Sequence, residues 1–244
     1  MLNPRSRALR PTRRATRSSA VIGLVAGVLL LGCGSDDAAT TTTDETSSST
    51  TTSTASGSES AEAAVPGRSV WPPSGATTTY DDPVEAATDA AVELVGFVDP
   101  VVGEFLEGDG ESGEVEVRAV EGGPVTTVLV RQLDGETWSV IGLVSDQIVP
   151  ERPETGATVS DPVAVRGTGT AFEGTIQVAV RDDAAAPVGS GFVTGGGNGE
   201  MGPFSGEIAI EPGAASGGSI AFYELSMEDG GGVLAATVLP VVFG

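Results

Sequence analysis

"PETGATVSDPVAVRGTGTAFEGTIQVAVRDD", residues 153–183, holds two short apolar alternations separated by glycine-rich punctuation. Val159, Val163 and Val165 belong to the first; Ile176, Val178 and Val180 share one face of the second, against Thr175, Gln177 and Arg181. A period of two with β-branched residues is the signature of half-buried strands, and Gly, Pro and Asp between the runs mark turns. The pattern continues through "PVGSGFVTG", "FSGEIAIEP", "GSIAFYELSMEDG" and "VLAATVLPVVF", with Phe204, Ile208 and Ile210 alternating, and Ile220 and Phe222 in step with Glu224. No helical period interrupts residues 148–244. Strands at this spacing predict an antiparallel sandwich.

Upstream, residues 68–147 read differently. "YDDPVEAATDAAVELVGF" places Asp82 at an N-cap, Pro83 at the first helical position and Glu85 three residues after the cap. Val84, Ala87, Ala91, Leu94 and Val95 then recur on one helical face. Three strand-like runs follow: "GEVEVRAV", "TTVLVRQL" and "TWSVIGLV", separated by "EGGP" and "LDGE". The expected fold is therefore a small α+β domain, a helix on a three-stranded antiparallel sheet, followed by an all-β antiparallel sandwich.

The chain opens with six arginines and no acid before residue 20, then "AVIGLVAGVLLLG", residues 20–32. Thirteen apolar residues are too few to span a bilayer core of about 30 Å comfortably, and the layout is that of a secretory signal peptide over residues 1–32. "LLGC" resembles the bacterial lipobox, in which the thiol takes a diacylglyceryl group and becomes the mature N-terminus. The resemblance implies lipidation of Cys33, the only cysteine. Two acyl chains hold a protein to a membrane durably. The expected location is extracytoplasmic, anchored to the outer face of the cell membrane.

Residues 33–67 are dominated by Ser, Thr, Ala and Gly and lack apolar periodicity, which predicts a disordered linker. Such a segment spans about 30 Å as a flexible coil and on the order of 110 Å when stretched.

Beyond Cys33 stand all 34 acidic residues against six Arg, a balance of −28, with neither Lys nor His anywhere. That field repels phosphate backbones and excludes nucleic acid as a partner; it suits cationic partners or divalent ions, and solubility or adaptation to salty surroundings accounts for the same balance. Without His, Lys or a second Cys, Ser-His-Asp, Cys-His, Ser-Lys and His-ligated zinc chemistry are all impossible. Carboxylate pairs survive, yet Asp81-Asp82, Asp182-Asp183 and Glu228-Asp229 fall in predicted turns or a helix cap. Glu107, Asp109, Glu111 and Glu114 in "EFLEGDGESGEVEV" are the calcium candidates, although a bend entering a strand accounts for them equally. Trp71 offers an aromatic platform for a glycan, or packs against Pro72 or the helix; Trp138 reads as core. "TGGGNGEMG" reads as a mobile loop, since no helix follows it to cradle phosphate. No catalytic, cofactor or metal residue is assigned.

Pro153, Gly156, Val159, Pro162, Val163, Val165, Gly167, Phe172, Glu173, Gly202, Pro203 and Phe204, with the final "ATVLPVVF", resemble the immunoglobulin-like domain of bacterial spore-germination proteins. The resemblance covers roughly 95 residues, about 40% of the chain, and implies a β-sandwich in an envelope lipoprotein. The whole chain is similar in layout to actinobacterial envelope lipoproteins. The expected function is non-enzymatic adhesion or assembly with an envelope protein or surface partner, related to germination; the alternative is a module binding wall polysaccharide or calcium.

Overall fold

In a computed structural model the protein is described over residues 68–133, 135–227 and 231–244. The signal segment, Cys33, the linker and the Glu228-Asp229 pair lie outside the described residues.

Helix α1 (Pro83–Asp89) starts where the sequence demands it. The Asp82 carboxylate accepts the amide N–H groups of Val84 (2.7 Å) and Glu85 (3.3 Å), and Pro83 supplies a preset φ. The helix then widens into a π-helical turn, Ala90–Val95, that ends on Gly96 at φ 103°. Ala86 and Ala87 of α1 and Ala90, Ala91, Leu94 and Val95 of the π-helical turn are buried in the core.

Four strands follow: β1 (Val101–Glu107), β2 (Ser112–Arg118), β3 (Thr126–Gln132) and β4 (Trp138–Val144). The expectation of three strands is short by one, because β1 adds an outer edge to the sheet. A bulge between Val102 and Phe105 breaks the alternation of β1, and only parts of it are covered. Next come β5 (Ile148–Arg152), β6 (Thr158–Val159), β7 (Val163–Ala171), β8 (Thr175–Asp182) and β9 (Pro187–Thr194). The chain finishes with β10 (Gly196–Gly197), β11 (Gly202–Ile208), β12 (Gly217–Leu225) and β13 (Val233–Phe243).

The larger sheet runs β1-β2-β3-β4-β13-β12-β8-β9, with β6 beside β13. The smaller one has β7 at its centre, flanked by β11, β5 and the short parallel β10. The immunoglobulin-like sandwich closes Ile148, Val163, Val165, Ile176, Val178, Val180, Phe204, Phe222 and Val241 between the two sheets. A second core, between the helix and β1–β4, holds Phe97, Val115, Val117, Val128, Val130, Val140 and Leu143.

The two cores share strands. On β12, Ile220 and Phe222 enter the sandwich while Ala221 faces the helical side; on β13, Val241 enters the sandwich while Ala236 and Val238 face the helical side. Only Val238↔Leu143 pairs β13 with β4. Buried threonines stitch this seam. Thr237 donates its hydroxyl to the Ile148 carbonyl at 2.6 Å and accepts the Ser145 N–H, while Thr126 accepts the Ala236 N–H.

Candidate functional site

The residues that carried the family resemblance build the fold. Gly167 sits opposite Phe204 in the β7–β11 register, and a Cβ there would run into the Val149 carbonyl and the Phe204 ring. Gly156 donates its N–H to the Pro240 carbonyl at 2.7 Å. Val159, Val163 and Val165 are core. Glu173 stands at φ 55°, a left-handed conformation that non-glycine residues adopt rarely, in the corner Phe172–Gly174 between β7 and β8.

The acidic candidates stay apart. Asp109 accepts the Ser112 hydroxyl (2.7 Å) and the Glu111 N–H (3.1 Å), and Arg131 lies 3.5 Å from its second oxygen. These bonds hold its carboxyl below the ordinary range, the Ser112 hydroxyl most of all. Glu107 ends β1, Asp109 and Glu111 lie in the turn, and Glu114 belongs to β2; among the described residues no three acids converge on a metal position. Asp182 closes the β8–β9 turn by accepting the Ala184 and Ala186 amides. Asp82 is the helix cap already described.

Trp71 is half-buried and belongs to the helical core. Its indole N–H donates to the Tyr80 hydroxyl at 2.9 Å, which donates to Asp89 at 3.0 Å. Burial raises the Tyr80 phenol above its ordinary value. Trp138 packs edge-on to Phe105, centroids 5.1 Å apart. The segment read as a mobile loop contains a strand instead: Gly196 and Gly197 pair in parallel with Thr170 and Ala171.

A wide, shallow hollow of about 570 Å³ lies on the outward face of the smaller sheet, against Arg152, Arg166, Ser205 and Glu207. Arg152 and Arg166 are register partners on β5 and β7. Each is engaged by a neighbour, Arg152 with Glu154 at 3.0 Å and Arg166 with Glu151 at 3.2 Å. These are exposed surface pairs, which contribute little.

A smaller cleft of about 250 Å³ lies where the end of β7, the β10 segment and the far end of β12 meet. Glu224, Thr170, Gln147, Asn198, Phe172 and Leu234 line it. Glu224 continues the inward row of Ile220 and Phe222 and is 7% exposed, with the Phe172 N–H donating to its Oε1 at 2.6 Å. Thr170 falls on the outward parity of β7, yet the β10 pairing helps cover it to 6% exposure. Its hydroxyl is buried and has no hydrogen-bond partner among the described residues. Phe172 is 52% exposed. Two of the described non-glycine residues at positive φ, Glu173 and Asn198, belong to this corner and to the loop beside it. Strained backbone of this kind gathers at binding sites.

The sandwich topology and this cleft coincide with a family. Residues 147–231 match the immunoglobulin-like domain of bacterial spore germination. The match covers just over a third of the chain and stops before β13. No curated protein and no solved structure matches the chain. The germination immunoglobulin-like domain is a non-catalytic fold, and it contains most of the cleft: Gln147, Thr170, Ala171, Phe172, Asn198, Gly199 and Glu224.

Sequence reading missed the cleft, although one signal was present. An acid in phase with Ile220 and Phe222 is a carboxylate aimed at an apolar core. Thr170 carried no such signal, because its burial depends on the crossing of β10.

Proposed function

We propose that this is a lipid-anchored, non-enzymatic envelope protein whose germination-type immunoglobulin-like domain binds a partner through the Thr170–Glu224 cleft. The observation that carries the reading is the make-up of that cleft. It holds two buried polar side chains, the Thr170 hydroxyl and the Glu224 carboxylate. Among the described residues no base is bonded to the Thr170 hydroxyl and no second acid lines the wall. Acid–base or nucleophilic catalysis needs such pairs held within reach. Binding does not.

Placement outside the cell rests on the "LLGC" motif, the apolar run before it and the polar tether after it. Labelled fatty acid is expected to enter the wild-type protein and not Cys33→Ser, and the wild type is expected to fractionate with the membrane. Equal labelling of both proteins overturns the anchor. Cross-linking in intact cells then identifies what the domain meets.

A wall polysaccharide is the lesser reading. Trp71, the platform that favoured it, has its indole N–H engaged by Tyr80 and its ring against the helical core.

A further inference from the structure

We infer that the Thr170–Glu224 cleft receives a lysine-type side chain, an aliphatic stem ending in a primary ammonium, from a polypeptide partner. This deepens the binding role proposed above and rests on it.

Glu224 is a buried carboxylate with capacity to spare. An ionised carboxylate offers about four lone-pair sites; one is taken by the Phe172 N–H. Among the described residues no arginine lines the cleft or pairs with Glu224. The chain contains no lysine or histidine that could supply the missing charge. Buried charges are ordinarily paired, because their desolvation is costly otherwise. In the same cleft, the buried Thr170 hydroxyl lacks a partner among the described residues. An ammonium carries three donors, enough for Glu224, Thr170 and the side-chain oxygen of Gln147 or Asn198.

The remaining walls fit the stem. Pro124, Ala171, Phe172 and Leu234 present carbon to the cleft, and lysine stems lie along apolar surface while their charged end seeks polar partners. The half-exposed Phe172 ring adds a face that attracts cations. A volume of about 250 Å³ is below the range of drug-sized pockets and suits one side chain. The charge balance of −28 past Cys33 repels anionic ligands and concentrates cationic ones.

The test is an amide-resonance titration of the full-length ¹⁵N-labelled protein with Nα-acetyl-lysine methylamide, following Phe172 and Thr170. Saturable shifts are expected, with a Kd on the order of 1 mM for so small a probe. Nα-acetyl-norleucine methylamide, which lacks the charge, is expected to bind about tenfold more weakly or worse. Glu224→Gln keeps an oxygen for the Phe172 N–H and is expected to lose about tenfold in affinity for the lysine probe. Should Glu224→Gln fail to fold, Thr170→Val and the comparison of the two probes on the wild type carry the test.

Equal affinity for the charged and neutral probes overturns the assignment, as does the absence of saturable shifts up to about 50 mM probe. n-Pentylammonium distinguishes the source. Weaker binding than the lysine probe supports a polypeptide partner; binding as tight assigns the cleft to free amines and overturns that part. Loss of ammonium binding leaves both the fatty-acid labelling and the cross-linking in intact cells untouched, so the lysine assignment fails separately from the anchor and from partner binding.

Discussion

The Glu224 carboxylate accepts the Phe172 amide N–H at 2.6 Å across 52 residues of sequence, tying the end of β12 to the strained corner after β7. A hydrogen bond to a charged group contributes about 1.5–3 kcal/mol. Glu224→Ala is expected to destabilise the fold by about that much, since the Phe172 N–H is left without its acceptor. Glu224→Gln retains an acceptor and is expected to lose less. Urea midpoints of the three proteins at constant slope decide it; equal losses for Ala and Gln remove the bond as the cause.

The Trp71–Tyr80–Asp89 relay predicts an alkaline effect. Burial, more than any neighbour, raises the Tyr80 phenol above its ordinary value of 10.0, with Asp89 adding to the rise and Trp71 opposing it. The folded state therefore keeps a proton that the unfolded chain gives up first. Its contribution is present below pH 10.0 and lost as pH climbs through the raised folded value. Tyr80→Phe is expected to flatten the alkaline limb of stability against pH, and to cost about 1 kcal/mol at neutral pH through the lost hydrogen bonds. An unchanged limb in the variant refutes the assignment.

Asp109 predicts the opposite limb. Its carboxyl is held down chiefly by the Ser112 hydroxyl, so its contribution is present above its ordinary value of 3.8 and fades as pH falls through the lowered folded value. Asp109→Asn is expected to lessen the acid-side slope slightly, the group being exposed to solvent. Because its oxygens serve Ser112, Glu111 and Arg131, millimolar Ca²⁺ is expected to leave the melting temperature unchanged. A calcium-dependent rise abolished by Asp109→Asn contradicts this.

The glycines beside the cleft have steric reasons. A Cβ on Gly196 would run into the Glu200 carbonyl and crowd the Gly202 amide and the Met201 carbonyl carbon. Gly196→Ala is expected to cost about 1–3 kcal/mol, as overpacking does, and to shift the amide resonances of Thr170 and Ala171, to which β10 pairs. Wild-type stability and an unmoved spectrum refute the close approach.

Much of this architecture was legible in alternation and caps. Asp82 and Pro83 announced the helix start, and Val163, Val165, Ile176, Val178 and Val180 announced the sandwich. β1 was not legible, because a bulge interrupts "VVGEFLE" and much of the strand is exposed, so no clean period of two survives. The π-helical turn leaves Ala91 and Leu94 buried, as ordinary helical spacing also would, so composition does not betray it. The cleft was hidden for a different reason. Thr170 is covered by glycines from a segment some 26 residues downstream in the register, Gly196 on Thr170, and pattern within one strand cannot report that crossing.

Because β12 and β13 furnish walls to both cores, neither core is complete without residues 233–243. Ala236 bonds Thr126 across 110 residues and Thr237 bonds Ile148 across 89, and such non-local topologies fold slowly. The two halves are thereby tied into one cooperative unit: loosening the shared strands dissolves the helical core and the sandwich together.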